Sequence, residues 1–272
     1  MAHDFGVDLP TWARVFGFVD ETTHRRVVMS QVHMSAVSDT LGIAIRRSYI
    51  SDEQVRKRQV ETGHTAATIV ASKLPDPGST MSGDFGEILT AILQASREHP
   101  TTVLDSKKWR LKPDRNKPVQ GADVVQMVFS DWPRHSAEDR LICCEVKTKA
   151  TSGSSQPLRT ALEDSRKDSD GRIAKTLVWL REKSIDPGLG SISHDQISRF
   201  INTTDEPLAH RDFHAVVVLS EDLVDAETLG ISDYDISGRT LTVVSVPDLK
   251  QTYEEAYQIA ALSSDALERK QQ

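Results

Sequence analysis

The chain has 272 residues, of which 38% are hydrophobic and 27% are charged, a balance typical of a soluble globular protein. Its formal net charge of −7 argues against a protein that coats nucleic acid through overall charge. No apolar run approaches the roughly 18 residues of a membrane span. The N-terminal MAHDFGVDLPTW also lacks the basic-then-apolar order of a secretion signal. We therefore expect a cytoplasmic protein without a membrane-bound segment.

Residues 1–77 are predicted to form an N-terminal α+β region that supports the rest of the chain or docks a partner. Two strand patterns cover 15–19 and 26–34, and apolar residues at helical spacing follow over 37–49. Ser51 is a candidate N-cap, with Gln54 three residues later, for a helix that extends to about Leu74. The segment Pro75-Asp76-Pro77-Gly78-Ser79 is the clearest break in the chain, so we place a domain boundary after residue 77.

Residues 78–272 alternate between helical and strand patterns. A helix is predicted in SGDFGEILTAILQASREH, and two strands lie within 121–150. Further elements are predicted as a helix over 157–184 in two pieces around 168–171, a stop at 186–188, a short helix at 196–201, strands at 213–220 and 240–246, and a helix after Pro247. This order predicts an α/β core in which helices flank a mixed β-sheet.

The stretch from Gly121 to Ala150 carries the strongest chemical signal. Asp123 opens one strand pattern, and the next, LICCEVK, ends in Glu145-Val146-Lys147. Because side chains alternate along a strand, Glu145 and Lys147 are predicted to share a face. A hard cation such as Mg²⁺, held by one or two carboxylates, can activate a water molecule and neutralise the negative charge on a phosphodiester. We therefore predict Asp123 and Glu145 as metal ligands and Lys147 as the catalytic cation.

Each of these residues also has a structural explanation. Asp123 follows a Gly-Ala pair and could be a turn or strand-edge aspartate. Glu145 and Lys147 could form a surface ion pair that contributes less than about 1 kcal/mol. Glu87 lies three residues after Asp84, which is the spacing of a helix capping box. The prediction of a metal site that hydrolyses phosphodiesters therefore depends on whether these residues lie close together in the fold.

A basic run immediately precedes this stretch. Six basic and two acidic residues lie within 105–117, DSKKWRLKPDRNK. A solvated loop explains such a run, but its position beside Asp123 equally suits contact with nucleic-acid phosphates. The predicted DNA-binding residues are Lys107, Lys108, Arg110 and Lys112.

Three other features offer little chemistry. Cys143 and Cys144 are adjacent, so we expect two buried thiols and no disulfide. In the HRDFH segment, His210, Asp212 and His214 alternate in a way that could place three zinc ligands on one face of a strand. No fourth ligand lies nearby, so we expect these residues only to begin a strand. No phosphate-binding GxxxxGK[ST] loop, GxGxxG or GxSxG is present, so any ATP-driven step requires a partner protein.

Gly121-Ala122-Asp123, followed 22 positions later by Glu145-Val146-Lys147, resembles the PD-(D/E)XK nuclease signature in a relaxed form without the proline. The resemblance implies a restriction-endonuclease-like core with the aspartate and the ExK on neighbouring strands of a mixed sheet. It also implies an acidic residue on the preceding helix. Glu87, in GDFGEILTAIL, matches that position and becomes a fourth candidate catalytic residue.

The stretch from Gly83 to Ser184 also resembles the HamA family, the nuclease subunits of the Hachiman antiphage defence system. The matching features are the Gly86-Glu87 helix, the basic segment, the Asp123 and Glu145-x-Lys147 strands and the long helix after them. This resemblance implies a deoxyribonuclease that depends on Mg²⁺, or on Mn²⁺ in its place, and a HamB-like ATP-dependent helicase as partner. The alternatives are a stand-alone restriction or repair endonuclease and a non-catalytic interaction protein on a nuclease scaffold.

Overall fold

A computed structural model of the protein describes residues 4–185, 189, 192–202 and 204–262. One seven-stranded sheet runs through it. The strands are β1 (Phe16–Asp20), β2 (Arg25–Met29), β3 (Val103–Asp105), β4 (Val124–Val128), β5 (Arg140–Lys149), β6 (His210–Ser220) and β7 (Thr240–Val246). Their spatial order is β1-β2-β7-β6-β5-β4-β3. The pairs β2–β7, β7–β6 and β6–β5 are parallel, and the remaining pairs are antiparallel, so the predicted mixed sheet is confirmed.

Helices cover both faces of the sheet. They are α1 (Leu9–Val15), α2 (Gln31–Tyr49), α3 (Asp52–Thr62), α4 (Ala66–Ala71), α5 (Ser79–Glu98), α6 (Pro157–Lys167), α7 (Ile173–Lys183), α8 (His194–Ile201), α9 (Val224–Thr228) and α10 (Leu249–Leu262). A π-helical turn (Asp168–Arg172) joins α6 to α7, which confirms the predicted break in that helix. None of the described helices has the length and apolarity to cross a membrane.

The buried strands carry apolar side chains on both faces because each face packs against helices. In β6, every residue from Ala215 to Leu219 has no exposed surface, as expected for a strand in the centre of a covered parallel sheet. The larger core cluster lies on the α5 side of the sheet and includes Ile88, Leu89 and Ile92 of that helix. A second cluster lies on the opposite side, where α7 and α8 pack.

The N-terminal region differs from the predicted elements in two places. The predicted strand over 26–34 is wrong beyond Met29, because Ser30 caps helix α2. The hydroxyl oxygen of Ser30 accepts a 3.3 Å hydrogen bond from the His33 amide. The single helix predicted from Asp52 to Leu74 is two helices. Gly63, with φ of 70°, ends α3 in the left-handed conformation that glycine adopts without strain. The Ser51 cap is confirmed, with its hydroxyl 3.1 Å from the Gln54 amide.

The sheet and core are continuous across the predicted boundary after residue 77. Strand β2 pairs with β7, and Val27 lies opposite Val244 in that pair. The division of the chain at residue 77 stays a prediction. Cys143 and Cys144 are free and buried, as expected. The predicted helix stop at 186–188 lies outside the described residues, whereas α1 and β3 were not predicted.

Candidate active site

The register of two antiparallel strands brings Asp123 next to Glu145. Val124 of β4 lies opposite Cys144 of β5, so the residue before Val124 is level with the residue after Cys144. The amide of Val146 donates a 2.8 Å hydrogen bond to Asp123 Oδ2. The backbone of the ExK strand therefore fixes the aspartate in place.

Glu145 and Lys147 share one face of β5, as the alternation predicts. The Lys147 ammonium lies 3.5 Å from Glu145 Oε2 and 4.0 Å from Asp123 Oδ2. Only 3% of the Glu145 side chain is exposed, so the pair is not the surface ion pair that the sequence left open. Three of the four predicted catalytic residues therefore meet at one point.

Glu87 is linked to Asp123 by the ammonium group of Lys108, which lies between the two carboxylates. The Lys108 ammonium lies 3.4 Å from Glu87 Oε2 and 3.7 Å from Asp123 Oδ1, and it donates a 2.9 Å hydrogen bond to the carbonyl of Ala122. The indole N–H of Trp109 donates to the same Glu87 oxygen at 2.8 Å. Glu87 is thus joined to Asp123 by a buried cation.

The capping explanation for Glu87 is wrong. Helix α5 begins at Ser79, after Gly78, so Asp84 is inside the helix rather than at its start. Asp84 instead accepts hydrogen bonds from Tyr49 and from the ammonium of Lys112, which lies 2.5 Å from its Oδ2. Glu87 is therefore free to contribute to the site.

Three of the four predicted DNA-binding residues in the basic run have buried side chains, although Arg115 and Lys117 at its end are 39% and 74% exposed. The side chains of Lys107, Lys108 and Lys112 are 0%, 4% and 3% exposed. Lys107 lies against the ring of Phe5 and 3.8 Å from Asp105. The predicted DNA contact is not available to these buried side chains.

Arg110 is also turned inward. Its guanidinium donates to the carbonyl oxygen of Arg47 at 2.6 and 3.1 Å. An ammonium or guanidinium stays buried when carboxylate or carbonyl oxygens surround it, and the sequence pattern could not reveal those partners.

Three further charged residues belong to the site and were missed in the sequence. Arg172, in the π-helical turn, places Nη2 2.6 Å from Glu145 Oε1, and its Nε donates to Asp168 Oδ1 at 2.6 Å. Asp164 of α6 lies 2.8 Å from the Lys147 ammonium. The available signal was Asp164 and Asp168 at a four-residue spacing, which places two carboxylates on one helical face.

Burial and crowding of carboxylates shift the protonation of the site. Burial, together with the neighbouring Asp123 and Asp168, raises the pKa of Glu145 to about 9. Burial likewise raises the pKa of Glu87 to about 8, although Lys108 opposes this shift. Burial alone would lower the pKa of the Lys108 ammonium, but Glu87 and Asp123 outweigh it and leave that pKa above its usual value.

The donor set suits a hard divalent cation. Mg²⁺ commonly takes one or two carboxylates from the protein and keeps several waters. Asp123 and Glu145 supply two such groups, and their carboxylates lie within 4.0 Å of the same Lys147 ammonium. In the described part of the chain, no group of three or more His, Cys, Asp or Glu residues has a metal-binding arrangement. The fit is therefore to a two-carboxylate site completed by water.

A family model described as HamA matches residues 23–260, which is most of the chain and includes every candidate active-site residue. A comparison with curated proteins finds no match.

Proposed function

This chain belongs to the HamA family of the Hachiman antiphage defence system, and we propose that it is a deoxyribonuclease that depends on Mg²⁺ or Mn²⁺. The observation that carries the proposal is the meeting of Asp123, Glu145 and Lys147 at the β4–β5 register. Two carboxylates can hold a metal ion that activates water, and a lysine beside them can stabilise the negative charge that develops in phosphodiester hydrolysis.

In this proposal the chain's own residues divide the chemistry. Asp123 and Glu145 hold the cation, which when bound supplies the Lewis acid and an activated water. Lys147 stabilises negative charge on the phosphate and is itself oriented by Asp164 at 2.8 Å. Glu87 acts as a positioning residue, because Lys108 connects it to Asp123.

A partner is part of the proposal. Family membership and the lack of a phosphate-binding GxxxxGK[ST] loop both favour a separate HamB-like helicase that supplies ATP-driven movement on DNA. Exposed apolar side chains within residues 1–77 support a docking role for that region. They are Phe18, Val19, Val32 and Val60, which are 46–88% exposed.

The test is cleavage of plasmid and linear DNA by the purified protein, alone and with its helicase partner and ATP, in Mg²⁺ or EDTA. We expect Mg²⁺-dependent cleavage that Asp123→Asn, Glu145→Gln and Lys147→Met each reduce by at least about 100-fold. Glu163→Gln on α6 is the matched control, since its carboxylate is 54% exposed and pairs with Arg159 outside the site.

Three results would change the assignment. Undiminished cleavage by all three variants would show that Asp123, Glu145 and Lys147 are not the active site. Full cleavage without any partner would favour a stand-alone endonuclease. Absence of cleavage under every condition, by folded wild-type protein, would favour the non-catalytic scaffold.

A further inference from the structure

A second polar cleft lies at the amino ends of the parallel strands, away from the candidate active site. Its volume is about 460 Å³, and Gln94, Arg97 and Glu98 from the last turns of α5 line one side of it. The strands contribute residues that point to the α5 side of the sheet, among them Asp212 and His214 of β6. Five arginines line the cleft: Arg25, Arg97, Arg140, Arg211 and Arg239.

The positive charge in this cleft is not neutralised from within. Its two carboxylates, Glu98 and Asp212, both pair with Arg140. Among the lining residues, five guanidinium groups against two carboxylates leave a net charge of +3 when the imidazole of His214 is neutral. Outside the lining, the exposed Asp235 lies 4.0 Å from Arg239. Neither Glu98 nor Asp212 pairs with Arg25 or Arg97, so these two guanidinium groups have no carboxylate partner among the residues that line the cleft.

Buried polar nitrogens in the cleft also lack hydrogen-bond partners. His214 is 8% exposed, and its Nδ1 has no hydrogen bond within the described residues. The same holds for Nε of Arg239, whose side chain is 10% exposed. Burial lowers the pKa of His214 to about 4, and Arg97 adds to that shift, as expected beside a concentration of cations. A bound ligand with hydrogen-bonding groups would satisfy these buried polar atoms.

We propose that this cleft binds the phosphate chain of a nucleotide or a free polyphosphate, with Arg25, Arg97 and His214 as its ligands. Guanidinium groups bind phosphate oxygens through two parallel hydrogen bonds, and phosphate carries the negative charge that the cleft lacks. The volume falls within the range of small-ligand pockets. The arginines gather in one cleft of about 460 Å³, which suits a small phosphate ligand better than the extended backbone of duplex DNA.

This site is separate from the proposed active site. Arg140 and Ile142 line the cleft from one face of β5, whereas Glu145 and Lys147 project from the other face. Arg140 and Glu145 are also about 17 Å apart along the strand, at roughly 3.3 Å per residue. Phosphate binding here therefore stands or falls independently of DNA cleavage.

The experiment is isothermal titration calorimetry of the full chain with pyrophosphate, in EDTA and at constant ionic strength. We expect saturable binding that Arg25→Gln and Arg97→Gln each weaken by about tenfold, the loss typical of one charge-assisted hydrogen bond. Arg58→Gln on α3 is the control, because that exposed arginine lies outside the cleft and is expected to leave binding unchanged. Thermal unfolding of each variant establishes that it is folded.

The choice of phosphate probe identifies the ligand class. Tighter binding of ATP than of pyrophosphate would point to a nucleotide, and equal binding to a free polyphosphate. The proposal is overturned if folded wild-type protein binds neither probe, or if Arg25→Gln and Arg97→Gln bind as wild type does. It is also overturned if only a 5′-phosphorylated oligonucleotide binds and the two variants bind it equally. If Arg97→Gln does not fold, Arg25→Gln and Arg25→Lys decide the matter.

Discussion

Lys108 is a buried cation that stands between two carboxylates. Its ammonium is within 3.7 Å of both Glu87 and Asp123, and only 4% of the side chain is exposed. Removing one member of a buried ion pair leaves an uncompensated charge, which is far more damaging than losing a surface pair.

We therefore expect Lys108→Met to lower the free energy of unfolding by about 3–5 kcal/mol in EDTA. Added Mn²⁺ should restore part of that loss, because a bound cation replaces the missing ammonium. Urea unfolding measures both effects, and Lys117→Met, at a pair whose lysine is 74% exposed, should change stability by less than about 1 kcal/mol. Equal effects of the two substitutions would contradict a buried ionic role for Lys108.

His214 gives the stability of the protein a specific pH dependence. Its folded pKa of about 4 lies below the ordinary value of 6.5, so between these pH values the unfolded chain binds the proton and the folded chain does not. The stabilisation is complete above about pH 6.5 and is lost as the pH falls toward 4, by at most about 3 kcal/mol.

His214→Asn removes this titration and should therefore flatten the pH dependence of the unfolding free energy across that interval. Urea denaturation at several pH values compares the slopes of wild type and variant. His194→Asn, at an imidazole that is 52% exposed, should keep the wild-type slope. If His214→Asn kept the wild-type slope of unfolding free energy against pH, the imidazole of His214 would not be held neutral by burial.

Helix α5 packs closely on β5, and one glycine permits the contact. A Cβ atom at Gly86 would clash with Oγ1 of Thr148 and would lie 3.4 Å from Val146. Gly83, one turn earlier in the same helix, has open space where its Cβ would be. The helix carries Glu87 next to this contact, so close packing sets the depth of that carboxylate.

Gly86→Ala should destabilise the protein by roughly 1–3 kcal/mol through overpacking. Gly83→Ala is expected to stabilise it by about 0.5–1 kcal/mol, because alanine is the better helix former. Thermal or urea unfolding of both variants tests the contrast. Stabilisation by both substitutions would mean that α5 can move away from the sheet at no cost.

The elements of the site differ in how far the sequence could predict them. Alternation along LICCEVK correctly predicts that Glu145 and Lys147 share a face, and Asp123 precedes the neighbouring strand as expected. Arg172 could not be predicted to contact Glu145, because the local pattern predicts the break at 168–171 but not the strand residue that this turn faces. The burial of Lys108 was hidden for the same reason.

The whole molecule is held by one sheet that crosses the predicted boundary at residue 77. Val27 of β2 lies opposite Val244 of β7, and neither residue has exposed surface. The strand patterns could be read locally, whereas the pairing of β2 with β7, more than 200 residues later, has no local signal.

Val27→Ala and Val244→Ala should each lower the unfolding free energy by roughly 2–3 kcal/mol and shift one common transition. Far-UV circular dichroism and tryptophan fluorescence should report the same midpoint. Val60→Ala, at a side chain that is 88% exposed, should stay within about 0.5 kcal/mol of wild type. Two separate transitions, with only one moved by Val27→Ala, would establish residues 1–77 as an independent unit.

Strand β5 carries the arginine-lined cleft on one face and the candidate active site on the other. Because side chains change face at every residue, an insertion of one residue between Arg140 and Glu145 would move one set of side chains to the wrong side. Only even insertions keep both faces, and even these would lengthen the spacing by about 7 Å. In the turn at 129–139, the buried Asp139 binds Ser130, Ser136 and Arg199, whereas 131–134 is mostly exposed. Relatives are therefore expected to vary in length within 131–134 and to keep the interval from Arg140 to Glu145 constant.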